Sequence, residues 1–127
     1  MKNNNYDDEL HQGASFARNF TFLGDGPHGT HSLVGWDVRL HVRAHNADGP
    51  LVLECDIANE RLIVLDALNG VLQWKLTPAD TRGIKFPKGD DHINHLDCVY
   101  SLELKDPTGE VHVPVRAKLR VYRAITR

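Results

Sequence analysis

The segment from residue 97 to residue 122 constrains the fold more than any other part of this sequence. Apolar and polar residues alternate along both of its arms, and Asp106-Pro107-Thr108-Gly109 separates the arms. Period-two alternation places one set of side chains on each face of a β-strand, and Asp-Pro-x-Gly favours a tight reversal of the chain. The segment therefore predicts an antiparallel β-hairpin with one buried and one charged face. Pro114 cannot donate to a strand ladder, so it predicts an edge or a bulge at that point.

Shorter alternating or apolar segments precede the hairpin, with turn residues between them. Together with the two arms of the hairpin they predict about seven strands, the earlier ones at 16–23, 34–44, 51–57, 61–66 and 71–76. Thr77 and Pro78 form the one clear helix start, as N-cap and first helical residue, and Gly83 ends that helix after about one turn. This order of elements predicts an all-β sandwich with one short helical turn.

The ends of the sequence and its composition set further expectations. Residues 1–13 are polar and acidic without periodicity, which predicts a disordered or partner-dependent arm before a β-sandwich domain at 14–127. The 127 residues include 15 basic and 17 acidic ones, whereas a nucleic-acid binder needs a basic excess, so we expect no nucleic-acid partner. No apolar run reaches the ~20 residues that span a bilayer, and the N-terminus lacks a signal-peptide core, so we expect no membrane insertion.

Two cysteines, Cys55 and Cys98, leave two interpretations open. Trp74 lies between them in the sequence, as in sandwich domains whose two sheets are joined by a disulfide. The alternative is a pair of buried thiols acting as small apolar residues, which a reducing cytoplasm favours. Cys98 belongs to the apolar face of its predicted strand, where a thiol is inert rather than nucleophilic. We expect no catalytic residues and no cofactor.

Histidines are the one compositional oddity, with eight in the chain. The long polar segment at 83–96 contains Asp91, His92 and His95, a combination of side chains that can bind zinc or iron. Solvated histidines on a loop explain the same residues, and no zinc-module spacing is present. The sequence therefore predicts no metal site, with Asp91, His92 and His95 as weak candidates.

The last predicted strand carries a row of cations, Arg116, Lys118, Arg120 and Arg123. Charge on an edge strand protects a sheet against aggregation. The same charges also suit a docking surface for a partner chain or an added strand. Both interpretations remain open, and the second makes these four residues interface candidates.

Two segments of the sequence resemble small tail- and baseplate-associated proteins of phages and prophages. They are 69–81, NGVLQWKLTPADT, and 98–111, CVYSLELKDPTGEV, with the final Ile125-Thr126-Arg127 and the early strand at 36–43 also similar. This chain departs from that pattern in its inserted His/Asp-rich loop and in Ser101, where an aspartate is common. The resemblance implies an immunoglobulin-like β-sandwich that serves as a virion building block and has no catalytic residues to carry over.

The expected function is therefore that of a non-enzymatic structural or adaptor protein of a phage or prophage particle, tail or baseplate associated. It would be made in the bacterial host cytoplasm and reside in the virion. Its expected partners are other copies of itself, as a homo-oligomer, or other virion proteins. The alternative is a ligand-binding β-sandwich for host-surface glycan, with an exposed tryptophan, or for a metal ion held by the His/Asp-rich loop.

Overall fold

The computed structural model describes residues 7–24, 31–89 and 93–124, and these residues form eight strands and one short helix. The elements are β1 (Asp7–His11), β2 (Phe16–Thr21), β3 (Asp37–Ala44), β4 (Leu51–Asp56), β5 (Leu62–Asp66), β6 (Val71–Leu76), α1 (Pro78–Arg82), β7 (His95–Lys105) and β8 (Val111–Tyr122). The all-β prediction is confirmed. The structure contains the seven predicted strands and adds β1.

Two sheets pack face to face. The larger has the strand order β1-β8-β7-β3-β4, and the smaller has the order β2-β6-β5. If β1 to β8 are lettered A, B, C, C′, D, E, F and G, the sheets become A-G-F-C-C′ and B-E-D. This is the partition of a variable-type immunoglobulin domain, in which C′ extends the GFC sheet. The fold is an immunoglobulin-like β-sandwich, antiparallel throughout except where β1 runs parallel to β8.

The β7–β8 hairpin forms as its alternation predicts. In the turn, the Gly109 amide donates to the carbonyl oxygen of Asp106 at 2.9 Å, and Gly109 takes the positive φ of 95° that glycine tolerates. The register shifts between Leu102 and Leu104 of β7, opposite Pro114, which confirms the predicted bulge. Because the bulge reverses the alternation, Val111 and Val113 are exposed rather than buried with the later apolar residues of β8.

The sheet begins at residue 7 rather than after the predicted arm of residues 1–13. Hydrogen bonding to β8 holds β1 in place, and so do two contacts of Asp8 with the body of the domain. Asp8 forms an ion pair with Arg18 of β2 and accepts a hydrogen bond from the Tyr100 hydroxyl at 2.9 Å. The polar, acidic composition predicted a disordered or partner-dependent arm, but these two partners compensate the largely buried Asp8 carboxylate for its lost hydration. Residues 1–6 lie outside the described part of the chain.

Trp74 of β6 occupies the centre of the core with no exposed surface. Its ring lies 4.7 Å from that of Phe16, edge to face, and 5.0 Å from that of Tyr100 on the opposite sheet. Such aromatic pairs add stabilisation beyond the area that they bury. Trp36, the other tryptophan of the chain, is half-buried and packs against the core.

We expect Trp74→Ala to lower the free energy of unfolding by about 3–5 kcal/mol, since it empties the largest buried volume between the sheets. Trp74→Phe keeps an aromatic ring there and is expected to cost less than half as much. Urea unfolding followed by circular dichroism measures both. Equal losses for the two variants would contradict a packing role for the indole.

A capping box fixes the start of α1. The Asp80 amide donates to the Thr77 hydroxyl, while the Thr77 amide donates to the Asp80 carboxylate. The hydrogen bond from the Thr77 amide, with smaller contributions from the Thr77 hydroxyl and Arg61, lowers the pKa of Asp80. Arg61 reaches the same carboxylate at 3.1 Å and joins α1 to the turn before β5.

No helix of the described residues has the length and apolarity needed to span a membrane.

Asp80→Asn is expected to lower the stability at neutral pH by about 1–2 kcal/mol through the weakened cap. Because folding lowers the pKa of Asp80, its carboxylate stabilises the fold above the unfolded-state pKa, and this stabilisation is lost as the pH falls through the folded value. The difference between wild type and variant should therefore shrink below about pH 4. Urea titrations at several pH values measure it, with Arg61→Lys as the control that leaves the cap intact. A difference independent of pH would contradict this role.

Candidate binding site on the five-stranded sheet

The outer face of the five-stranded sheet carries short side chains at its centre and long cations on either side. The central strand β7 presents Val99 and Ser101 outward. Pairing with β8 and β3 places Val99 between Lys118 and Arg43, and it places Ser101 between Arg116 and His41. Each of these rows crosses three strands, so the outer two positions of a row lie about 9.5 Å apart.

Because the side chains on β7 are shorter than those on β8 and β3, a trough with a volume of about 580 Å³ runs along β7. Val99 and Ser101 form its floor, and the four basic side chains form its two walls. Ala47, from the turn after β3, and Glu103 of β7 also line it. A concave surface of this volume lies in the range of small-ligand and peptide-side-chain sites. We call it the β7 trough.

The basic side chains of the β7 trough differ in how available they are to a partner. Arg116 and Lys118 are exposed and make no hydrogen bond or ion pair with another residue in the described ranges. Arg43 donates one N–H to the carbonyl oxygen of Gly49 at 3.1 Å. The Nε2 atom of His41 is buried without a hydrogen-bond partner and lies 3.7 Å from a carboxylate oxygen of Glu54.

The structure separates the four predicted interface cations. Arg116 and Lys118 stand together in the β7 trough, whereas Arg120 is engaged by Asp97, with Nε to carboxylate oxygen at 2.7 Å. That hydrogen bond lowers the pKa of Asp97. Arg123 lies beyond β8, donates to the carbonyl oxygen of Ile93 and stacks on the Phe86 ring at 4.2 Å. In addition, β8 is flanked by β7 and, from residue 118 to residue 122, by β1, so the edge interpretation of its charges does not apply there.

The trough also contains residues that the sequence did not single out. The alternation of Arg39, His41 and Arg43 along β3 was visible, but it gave no reason to place β3 beside β7. The register between two distant strands decides which cations share a row. Ser101, a short polar residue between Val99 and Glu103 on the outer face of β7, was the one available signal.

The structure leaves the weak metal candidates untested as a group. Asp91 and His92 lie outside the described residues, and His95 begins β7 with its ring 6.0 Å from that of Tyr122. Residues 83–89 and 93–94 are the described part of the segment that the sequence predicted as a polar loop from 83 to 96, and β7 begins within that range at His95. The prediction of no metal site therefore stays a prediction.

Another group with metal-binding side chains lies at the β7–β8 turn. Ligand atoms of Asp106, Glu110 and His112 lie within 4.8 Å of one another. The Thr108 hydroxyl, first among several hydrogen-bond donors, lowers the pKa of Asp106 to about 2. One oxygen of Asp106 accepts from the amides of Thr108 and Glu110, so this carboxylate shapes the turn.

Cys55 and Cys98 are both free and buried, which confirms the thiol interpretation. They lie on β4 and β7 of the same sheet, so they cannot form a bridge between sheets. Burial raises the pKa of each thiol to about 12, although the neighbouring Trp74 N–H partly opposes this effect at Cys55. A thiol with such a pKa is a poor nucleophile at neutral pH.

Alkaline pH is expected to destabilise the fold through these cysteines. Each folded-state pKa is raised from 9.0 to about 12, so the stabilisation is complete below pH 9 and is lost as the pH rises towards 12. Urea midpoints between pH 8 and 11 measure the slope, and Cys98→Ala should reduce it. Rapid alkylation of either thiol in the folded protein at pH 8 would contradict this account.

Comparison with known proteins supplies no family. No protein-family model and no curated protein matches this chain. Among solved structures it is similar to murine CRIg, with 14% identity and a TM-score of 0.36 over 93% of this chain and 92% of that one. It is also similar to the extracellular domains 3–5 of Drosophila OTK, with 18% identity and a TM-score of 0.30. That alignment covers 92% of this chain and 32% of the OTK chain. At these values the likeness carries no argument about function.

Proposed function

We propose that this chain is a non-enzymatic structural or adaptor protein of a phage or prophage particle, tail or baseplate associated. In this proposal it works through protein–protein contacts on the outer face of its five-stranded sheet. The fold supplies a rigid core, and the contacts are made by side chains on strands rather than by mobile loops. The assignment to a virion rests on the sequence resemblance of segments 69–81 and 98–111.

The observation that carries the proposed role is a pair of cations in the β7 trough, Arg116 and Lys118, that have no partner among the described residues. Arg116 and Lys118 stand two residues apart on β8 at the centre of a sheet face. Residues on a sheet face are held by the ladder hydrogen bonds of both neighbours, so their positions are fixed before a partner arrives. Pre-positioned charges lose less conformational entropy on binding than charges on flexible loops do.

The charge distribution decides which kind of self-contact is favourable. A two-fold, face-to-face contact centred on the β7 trough would bring cations against the same cations, which is unfavourable. A head-to-tail contact is free of this conflict, because exposed Glu54 and Glu60 lie at the opposite edge of the sheet, on β4 and in the turn that follows. Head-to-tail contacts close into rings when the rotation permits. We therefore propose a closed homo-oligomer of three or more copies.

The alternative function is binding of glycan or of a metal ion, and for glycan no exposed tryptophan is found among the described residues. Trp74 is fully buried and Trp36 packs against the core, so neither provides the exposed platform that sugar stacking requires. Asp91 and His92 of the His/Asp-rich loop lie outside the described residues. Neither a tryptophan nor a phenylalanine is among the described residues that line the β7 trough, and the ring of Tyr100 packs against Trp74 inside the sandwich.

Solution mass by light scattering tests the proposed assembly. We expect an oligomer of three or more copies at low salt that dissociates at high salt, since exposed charge pairs are screened within about 10 Å at 0.1 M. Arg116→Glu with Lys118→Glu should give a monomer at low salt. The matched control is Lys75→Glu with Lys85→Glu, which reverses two exposed charges away from the β7 trough and should keep the wild-type mass.

Two outcomes would contradict this proposal. A wild-type monomer at every salt and protein concentration would exclude self-assembly through this face. An oligomer that resists the Arg116 and Lys118 reversals but dissociates with the control reversals would move the interface elsewhere. Melting temperatures of all variants should stay close to that of wild type, because these four side chains are exposed.

A further inference from the structure

We propose that the β7 trough binds an extended acidic segment of the neighbouring protein, with two carboxylates separated by one residue. That the trough contacts a neighbouring protein rests on the proposed function above. The spacing of its basic side chains, its hydrogen-bond donors and its shape indicate which chemical group enters it.

The spacing of the cations matches that of an extended peptide. Lys118 and Arg116 are two residues apart on β8, and Arg43 and His41 are two residues apart on β3. Two residues of a strand span about 6.7 Å, so the two rows repeat at that distance. Side chains at i and i+2 of an extended segment point to one face at the same spacing. An acid–x–acid sequence therefore places one carboxylate in each row.

Each row offers N–H donors to a carboxylate. In one row Lys118 and Arg43 lie on either side of Val99, and in the other Arg116 and His41 lie on either side of Ser101. A guanidinium binds a carboxylate through two parallel N–H donors, which makes Arg116 the strongest anchor. The Ser101 hydroxyl, which has no partner among the described residues, adds a donor from the floor.

The shape and the remaining charge of the trough set its direction. Glu103 is the acidic side chain that lines it, and it stands one row beyond Ser101, opposite Arg39 of β3. A third carboxylate in register would meet Glu103 and be repelled. The trough therefore favours two alternating acids followed by a neutral or basic residue, and it disfavours a continuous acidic run.

The probe is the peptide Thr-Glu-Thr-Glu-Thr with blocked ends, titrated into isotopically labelled protein at low salt. We expect saturable shifts of the amide resonances of Val99 and Ser101. The peptides Thr-Gln-Thr-Gln-Thr and Thr-Glu-Glu-Thr-Thr should bind at least about tenfold more weakly, since each loses a charge-assisted contact or its spacing. Equal displacement by acetate at the same carboxylate concentration would mean a site for small anions and would overturn the proposal.

Variants separate a built site from general electrostatic attraction. Ser101→Leu fills the floor without changing any charge, and it should abolish the shifts at Val99. Arg116→Gln with Lys118→Gln should weaken binding at least about tenfold, whereas Lys75→Gln with Lys85→Gln should not. Glu103→Gln should tighten binding. Unchanged binding to Ser101→Leu would overturn the proposal. If Ser101→Leu does not fold, unchanged binding to the Arg116→Gln and Lys118→Gln variant would overturn it.

The same titration followed by light scattering separates this inference from the proposed function. Peptide binding to a protein that is monomeric throughout would support the trough and reject self-assembly. An oligomer that forms while the peptide causes no shifts and no loss of mass would reject the acidic segment and keep the assembly. Binding that also lowers the mass supports both.

Discussion

The structure depends on the burial of one face of β7. Tyr100 of β7 packs on Trp74 of the opposing sheet, and the alternate residues of β7 from Leu96 to Leu104 are buried with it. Because the side chains of a strand alternate, burying this set leaves Val99, Ser101 and Glu103 on the outer face. A slip of one residue would exchange the two sets, so the core contact at Trp74 also fixes the floor of the β7 trough. The proposed binding surface is therefore a consequence of the packing.

The same strand also organises the edge of the larger sheet. The Tyr100 hydroxyl donates a hydrogen bond to Asp8 of the same sheet, and Asp8 forms an ion pair with Arg18 of the smaller sheet. This group of three side chains holds β1 against β8 and joins both sheets at that edge.

Much of the fold was predictable because it depends on local pattern. Alternation identified the hairpin, Pro114 marked its bulge, and Thr77 with Pro78 marked the only helix of the described residues. The first strand was missed because its acidic residues resemble a solvated arm until Arg18 and Tyr100 are placed beside Asp8. The two cysteines show the same limit, since their separation in sequence does not reveal that they share a sheet.

The candidate site was only half predictable for the same reason. The cations of β8 are evident in the sequence, and two of the four line the β7 trough. The opposite wall comes from His41 and Arg43, and no local pattern brings β3 next to β7. Arg120 forms an ion pair with Asp97, which depends on the register between β7 and β8. Arg123 stacks on Phe86, which depends on where the chain before β7 places that ring.

Lysine acylation of the wild-type protein probes the β7 trough without any variant. We expect Lys118 to react more slowly in the low-salt assembly than after dissociation, whereas Lys75 and Lys85 should react at the same rate in both states. Protection of Lys75 with Lys118 unchanged would place the interface on the smaller sheet and contradict the role of the β7 trough.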